Sequence, residues 1–339
     1  MWWRCNPSLT LIYSGQPVVT HVPWVRRWPA TAVHIMFDKV EAFYRPASVR
    51  EALRLLDSGK GKARVVAGGT DLVVQGDDTV HFLIDITRAG LSYIRPKGAA
   101  LAIGAATTMA QLEASDVVAA LADGLLARAA RSCGSALIRN RATLGGNIAN
   151  ASPAADMATP LLVLEASVVL AHARGRRTLP LAEYLLTAAA HRAAMHGVAG
   201  RRRTPDPFAG CLLVEVVIPA PPGGKGCRWS FQKFGRTAVD ISLVNVAAGL
   251  QTDARGKVKW ARIALGSVSP APMRAAGAEQ RMLGRKVDQA MLAEIGAEVA
   301  REVSPISDAR ASAEYRRELC FVLSRRALEE CSALAGCCL

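Results

Sequence analysis

The chain has 339 residues, 51% of them hydrophobic and 21% charged, which excludes a disordered or low-complexity protein and leaves room for two or three compact domains. The formal net charge is +14, but the bases sit in short separated clusters (Arg174, Arg176, Arg177; Arg201 to Arg203; Arg316, Arg317; Arg325, Arg326) with no interleaved aromatics, so no nucleic-acid partner is expected and an anionic cofactor with acidic partner subunits is the milder explanation. No uncharged apolar run reaches the ~20 residues of a membrane span, and eight scattered cysteines without a C-x-x-C pair argue against a zinc ribbon and fit a reduced, cytoplasmic setting.

The first 37 residues hold no Asp or Glu, three Arg and four of the six Trp. They read either as a targeting or processed segment or as an extension ahead of a folded protein that begins at Met36. The second reading is preferred, with residues 1–35 outside the core, and Pro23 and Pro29 beside Trp24 and Trp28 argue against regular structure there. From Met36 the pattern becomes orderly. Phe37 to Tyr44 predicts a short strand. Ser48 with Glu51 forms a capping box for a helix whose buried stripe is Val49, Ala52, Leu53 and Leu56, ended by Gly59 and Gly61. Arg64 to Ala67 is a strand running straight into Gly68-Gly69-Thr70-Asp71. Phe82–Asp85 and Leu101–Ile103 are further strands, and Thr108 with Gln111 opens a helical stretch to about Ser132.

Residues 134–160 break this pattern and read as a long loop, which inside a compact chain is usually functional. Ser167–Leu170 and Leu213–Ile218 are strand-like, and 191–210 reads as an exposed irregular loop. Pro219 to Gly226 is the best linker. Beyond it, Ser230–Lys233, Leu243–Leu250 and Val258–Leu265 predict three antiparallel strands, followed by helices at about 272–283, 288–302 and 312–334. Strands followed by helices indicate an α+β fold.

Two glycine constellations carry chemistry. Ala67-Gly68-Gly69-Thr70-Asp71-Leu72 follows a strand, and successive N–H groups of such a turn converge into an anion-binding nest. Alone it fits a tight strand-exit turn equally well. The second, Thr143-Leu144-Gly145-Gly146-Asn147, continues through Ser152 to Asp156, with two more adjacent glycines as backbone donors and polar side chains at close spacing. Two Gly-Gly loops in one unit suit a diphosphate held from two sides. Neither is a Rossmann fingerprint or a P-loop.

Val65 to Leu72, Thr143 to Pro160, and Phe231-Gln232-Lys233-Phe234-Gly235-Arg236 followed by Asp240-Ile241 resemble the FAD-binding subunit of the molybdenum hydroxylases, the family of the flavoprotein subunits of aerobic carbon monoxide dehydrogenase and xanthine dehydrogenase. Tyr44 to Ser48, Ala264 to Pro272 and the closing Tyr315-Arg316-Arg317 are similar to the same family, so the resemblance covers about residues 36–330. It implies a two-lobed FAD domain of the vanillyl-alcohol-oxidase (PCMH) type over 36–222 and a C-terminal domain over 226–335 with a three-stranded antiparallel sheet plus helices. It implies FAD held by Ala67, Gly68, Gly69, Thr70, Asp71 and Leu72 at one pyrophosphate loop and by Thr143, Gly145, Gly146 and Asn147 at the other, with Ser152 nearby. Asp156 would bond a sugar or ribityl hydroxyl, Leu213 would pack near the adenine, and Lys233 would approach the flavin ring, although a solvated strand lysine is an open alternative. Arg139 and Arg141 flank the second loop as phosphate partners or surface residues. The implied partners are a subunit with two [2Fe–2S] clusters and a molybdenum-cofactor subunit, assembled as a dimer of heterotrimers, with NAD, a quinone or oxygen as acceptor. No general acid or nucleophile is demanded of this chain, so no catalytic residue is expected; an extra iron–sulfur cluster, carried by some members on this subunit, needs four nearby cysteines, and since only Cys133 precedes Cys211 in the FAD domain no metal ligand is expected. The rivals are a stand-alone flavoprotein of the same fold and a non-catalytic assembly protein.

Overall fold

The computed structural model describes residues 8–13, 16–21, 39–77, 79–196, 206–224 and 226–336. Its first sheet gathers β1 (Ser8–Tyr13), β2 (Gln16–His21), β3 (Ala42–Arg45), β4 (Ala63–Val66) and β5 (Phe82–Asp85) in the order β2-β1-β3-β5-β4. β3, β4 and β5 run parallel, and the β1–β2 hairpin joins the β3 edge through a parallel β1–β3 pairing. Regular structure ahead of Met36 was not expected; the strands are built from Leu-Thr-Leu-Ile-Tyr and Val-Val-Thr, compositions that favour strands, while Pro23 to Pro29 fall outside the described residues. The predicted strand at 37–44 is observed as Ala42–Arg45.

The parallel pairs require a crossover, and α1 (Val49–Ser58) supplies it between β3 and β4. Ser48 caps it by accepting the Glu51 N–H at 3.2 Å, and the Glu51 carboxylate reaches back one residue further than a capping box, to the Ala47 N–H at 2.9 Å. Ala52 is buried, with Val49, Leu53 and Leu56 packed around it. The short α2 (Leu72–Gln75) follows the first glycine turn.

The second sheet is antiparallel, ordered β6-β7-β10-β8-β9, from β6 (Ile94–Lys97), β7 (Ala100–Gly104), β8 (Ser167–His172), β9 (Gly175–Pro180) and β10 (Leu212–Ile218). One face, through Val169, Ala171 and Val214, shares a core with α1 and the first sheet. The other, through Ile103, Val168 and Val216, packs on helices α3 (Met109–Glu113), α4 (Asp116–Ala120), α5 (Leu125–Arg131), α7 (Leu144–Ala149) and α8 (Ala158–Val163), while α6 (Ala136–Arg139) lies outside this core with no buried residue. The single helix predicted from Thr108 is therefore three. Thr108 and Gln111 do form their capping box, but Ser115 caps a new helix, and Ala122, Asp123 and Gly124 take positive φ and break the run again. The stretch 134–160, expected as loop, carries α6 to α8 because Ser135 and Thr143 act as N-caps. The alanine-rich α9 (Leu181–His196) likewise takes the first turns of the segment expected to be irregular from 191; residues 197–205 lie outside the described set.

The third sheet has four antiparallel strands where three were predicted: β11 (Arg228–Phe234), β12 (Val244–Thr252), β13 (Val258–Gly266) and the two-residue β14 (Met273–Arg274). β14 is too short to carry a periodicity signal. Helices α10 (Ala276–Met282), α11 (Gln289–Glu302) and α12 (Ala313–Gly336) cover this sheet around Val246, Leu265, Ile295 and Leu323. Trp229, Ala247 and Ala264 belong instead to the core of the second sheet's helical face. A contiguous apolar seam therefore joins the C-terminal sheet to the helices that carry the glycine motifs.

Candidate functional site

β4 delivers the chain into the first glycine turn. Gly69 has φ +74°, which disfavours any side chain. Gly68 has an ordinary φ but no space: a Cβ there would lie 2.0 Å from the Arg141 carbonyl oxygen and 2.6 Å from its carbon. The two glycine motifs, 70-odd residues apart in sequence, thus meet backbone to backbone at Gly68. The N–H groups of Gly68, Gly69, Thr70 and Asp71 make no hydrogen bond among the described residues. Half-buried at Gly68 to Thr70 and exposed at Asp71, these donors are open to an acceptor from outside, and such a row is suited to a diphosphate. Partial desolvation raises the Asp71 carboxyl above its ordinary value.

The second motif works differently from the expectation. Its glycines do not present backbone donors: Gly145 N–H donates to the Ala105 carbonyl at 2.8 Å and Gly146 N–H to Thr143 Oγ1 at 3.1 Å, while Leu144 and Asn147 donate to the carbonyls of Thr107 and Thr143. They form the first turn of α7, with Thr143 as its cap. Gly145 is buried, and a Cβ on it would fall 2.5 Å from the Ala105 Cβ. Its role is to let α7 close on the end of β7. What the motif offers outward is the exposed Gly146 and the half-buried Asn147, whose Oδ1 accepts the Met157 N–H at 3.4 Å. Ser152 accepts the Ala154 N–H in a local turn. Arg139 is engaged by Glu113 at 2.9 Å. Arg141 is exposed and its guanidinium has no partner among the described residues, which leaves it the cation beside the glycine seam.

Asp156 and Lys233 are brought together and buried. Lys233 Nζ donates to Asp156 Oδ2 and to the Ser132 carbonyl, both at 2.8 Å, and the two side chains are 10% and 8% exposed. Lys233 is therefore not a solvated strand residue. Asp156 Oδ1 accepts from the Ser242 hydroxyl and, at 3.3 Å, from Asn245 Nδ2. Cys133 Sγ lies 3.7 Å from Oδ2; burial first, then the Asp156 charge, pushes its thiol up to about 12, and Asp71 of the first loop adds to the shift. Lys233 also lines an open cavity of ≈360 Å³ with Ser132, Phe234, Gly235, Arg236, Thr237 and Ala238. Leu213 is buried on β10 within the large core. Ala67 and Leu72, half-buried, bracket the first turn.

Sequence reasoning passed over Ser242, Asn245 and Ser132. Asn245 carries a readable signal: it is a polar residue inside the apolar run Leu243 to Leu250, and it is fully buried with its Oδ1 accepting from Thr159 at 2.8 Å. Among the described residues no group of three metal-ligating side chains occurs, and no helix is long and apolar enough to cross a membrane.

A row of unpaired N–H donors from Gly68 to Asp71, without a Rossmann fingerprint, is suited to the phosphates of a dinucleotide held outside the Rossmann class. Residues 36–221 match the FAD binding domain in molybdopterin dehydrogenase, and residues 229–331 match the CO dehydrogenase flavoprotein C-terminal domain. The chain belongs to the family of FAD-binding subunits of the molybdenum hydroxylases, and FAD is its cofactor. It is 31% identical over 308 residues to the xanthine dehydrogenase FAD-binding subunit of Escherichia coli O157:H7, covering 89% of this chain and 99% of that one. It is 29% identical over 299 residues to the glyceraldehyde dehydrogenase medium chain of Sulfolobus acidocaldarius, covering 87% and 99%. Among solved structures, the Cu,Mo-CO dehydrogenase in its cyanide-inactivated form matches with a TM-score of 0.75 and 29% identity, over 86% of this chain and 97% of that one. The protein is an oxidoreductase subunit.

Proposed function

We propose that this chain is the electron outlet of a molybdenum hydroxylase: it accepts electrons from the [2Fe–2S] clusters of a partner subunit and passes them through FAD to NAD, a quinone or oxygen. The molybdenum-cofactor subunit that oxidises the substrate completes the assembly, a dimer of heterotrimers in the cytoplasm. The relatives named as subunits and medium chains support a multi-subunit setting, and the five cysteines described here are all free thiols, which suits a reducing compartment. The 219–226 linker separates an FAD domain, 36–222, from a C-terminal domain, 226–335.

The observation that carries the reading is the row of four unpaired N–H groups from Gly68 to Asp71, packed against the second motif at Arg141. In this assignment Ala67 to Leu72 hold the pyrophosphate through the backbone. Gly146, Asn147 and Ser152 line its other side, and the buried Thr143 and Gly145 shape the turn of α7 that presents them. Leu213 packs toward the adenine. Lys233 sets a cation at the flavin ring, and Asp156, which carries four protein donors, serves as the lysine's anchor in addition to the hydroxyl partner that the resemblance implies. Bound FAD would supply the interconversion of one- and two-electron transfers; the chain supplies binding, orientation and charge.

Flavin content tests this. The full-length protein is expected to purify with near-stoichiometric FAD, or to take it up when co-expressed with iron–sulfur and molybdenum subunits, and to form a stable complex with them. A well-folded colourless protein that takes up no FAD even in their presence would overturn the reading.

A further inference from the structure

We propose that Ser242 and Asn245 are positioning residues for the flavin: from the C-terminal sheet they fix the Asp156 carboxylate, and through it they aim the remaining N–H of Lys233 into the adjoining cavity. The proposal rests on the FAD reading above. An ammonium has three donors. Two of those on Lys233 are taken by Asp156 and the Ser132 carbonyl, and Lys233 is a lining residue of the ≈360 Å³ cavity, so the third is the donor left for a ligand there.

The carboxylate that holds the lysine is itself held at both oxygens. Ser242 and Asn245 donate to one oxygen, Lys233 and Cys133 to the other. The Asn245 amide is held in this orientation because, turned over, its Oδ1 would face the acceptor-only Asp156 carboxylate; as it stands Nδ2 donates to Asp156 and Oδ1 accepts the Thr159 hydroxyl at 2.8 Å. Ser242 is held from its backbone side: its carbonyl accepts the Ser267 hydroxyl at 2.8 Å, and the Ser267 N–H donates to the Pro153 carbonyl at 2.7 Å. Gly266 leaves the room Asn245 needs, since a Cβ there would lie 2.6 Å from Asn245 Oδ1. The network crosses the chain's two halves, with Cys133, Asp156 and Thr159 on one side and Lys233, Ser242 and Asn245 on the other.

The electrostatic consequence has a sign. A carboxylate with two donors drawing on Oδ1 shares its negative charge away from the lysine. Remove one and the charge concentrates on the Lys233 side, which weakens the net positive field reaching the cavity. In a buried site such field changes are little screened. Reduced flavin, which gains negative charge, then loses stabilisation.

The test is the FAD midpoint potential of the purified full-length protein, measured by dye equilibration. In Ser242→Ala and Asn245→Ala the equilibrium constant for two-electron reduction is expected to fall about tenfold, a drop of about 30 mV. Ser242→Cys, which keeps a donor at this position, is expected to recover most of it. Glu330→Gln is the structural control. It weakens a second contact across the same seam, where Glu330 accepts from Arg128, Ser230 and Gln232, and is expected to lower thermal stability while leaving the equilibrium constant for reduction within about threefold of wild type, about 14 mV. Wild-type potentials in FAD-loaded Ser242→Ala and Asn245→Ala, or an equal shift in Glu330→Gln, would overturn the positioning role and leave the FAD reading intact. Wild-type protein without FAD would overturn the reading itself. If Asn245→Ala loses its fold, Ser242→Ala, which removes a single oxygen, decides.

Discussion

Gly68→Ala is the sharpest perturbation of the site. The added methyl carbon would sit 2.0 Å from the Arg141 carbonyl oxygen, 2.6 Å from its carbon and 3.0 Å from the Ala142 nitrogen. All three are backbone atoms, so no side chain can rotate away, and the two loops must part by about 1 Å before the contact becomes tolerable. Overpacking of this kind costs about 1–3 kcal/mol. With about 2–4 °C lost per kcal/mol in a domain of this size, the melting temperature falls by about 2–12 °C. The same displacement separates the Gly68–Asp71 donors from the α7 N-terminus. If 1–3 kcal/mol of binding is lost with it, the Kd for FAD rises about 5- to 150-fold. Differential scanning fluorimetry and flavin fluorescence titration of the apoprotein read the two effects separately. A Gly68→Ala protein with wild-type melting temperature and FAD affinity would show that the two glycine motifs do not form one site.

Lys233→Met leaves Asp156 charged and buried without its counter-ion and is expected to cost about 3–5 kcal/mol in chemical denaturation, most of it recovered in the Lys233→Met, Asp156→Asn double variant. Thr143→Ala removes the α7 cap and is expected to cost about 1 kcal/mol, with a matching loss of FAD affinity. Burial raises the Glu215 carboxyl, but hydrogen bonds from Lys97 at 2.6 Å and Tyr93 at 2.8 Å outweigh it and hold it below the ordinary 4.5. A depressed folded pKa contributes stability that is complete above the unfolded value and is lost as pH falls through the folded one. Tyr93→Phe is therefore expected to destabilise the protein at pH 7 and to flatten the decline in melting temperature below pH 4.5; an unchanged slope there would refute the assignment. Among the described cysteines, Cys211 is the one partly exposed to solvent, whereas Cys133, Cys227, Cys320 and Cys331 are buried. Brief iodoacetamide treatment of the native protein, followed by peptide mapping, is expected to label Cys211 and spare the other four.

Much of the fold was legible where the sequence speaks locally. Helix α1 follows from Ser48 and its apolar stripe, β5 was placed residue for residue, and the strand-to-glycine transition at Val66 marked the first turn because few residues other than glycine suit its geometry. Local signals also misled. Thr143 is a good N-cap, but the polar, glycine-rich composition after it hid α7, and the helix pattern from Thr108 concealed the breaks that Ser115 and Gly124 impose.

The sequence by itself determined the class: the two glycine motifs, their separation, and the closing strands and helices suffice to place the chain in its family. Tertiary structure alone decided how those motifs work. Nothing local tells that Gly68 is required by a carbonyl 73 residues away, or that the Gly145 N–H is taken by Ala105 while the Gly68 N–H remains open. Nor does any local pattern join Asp156 to Lys233, Ser242 and Asn245, since hydrogen bonding between side chains distant in sequence leaves no periodicity to read. Such pairings exist only once burial across the seam between the sheets has made an unpartnered polar group too costly to leave alone.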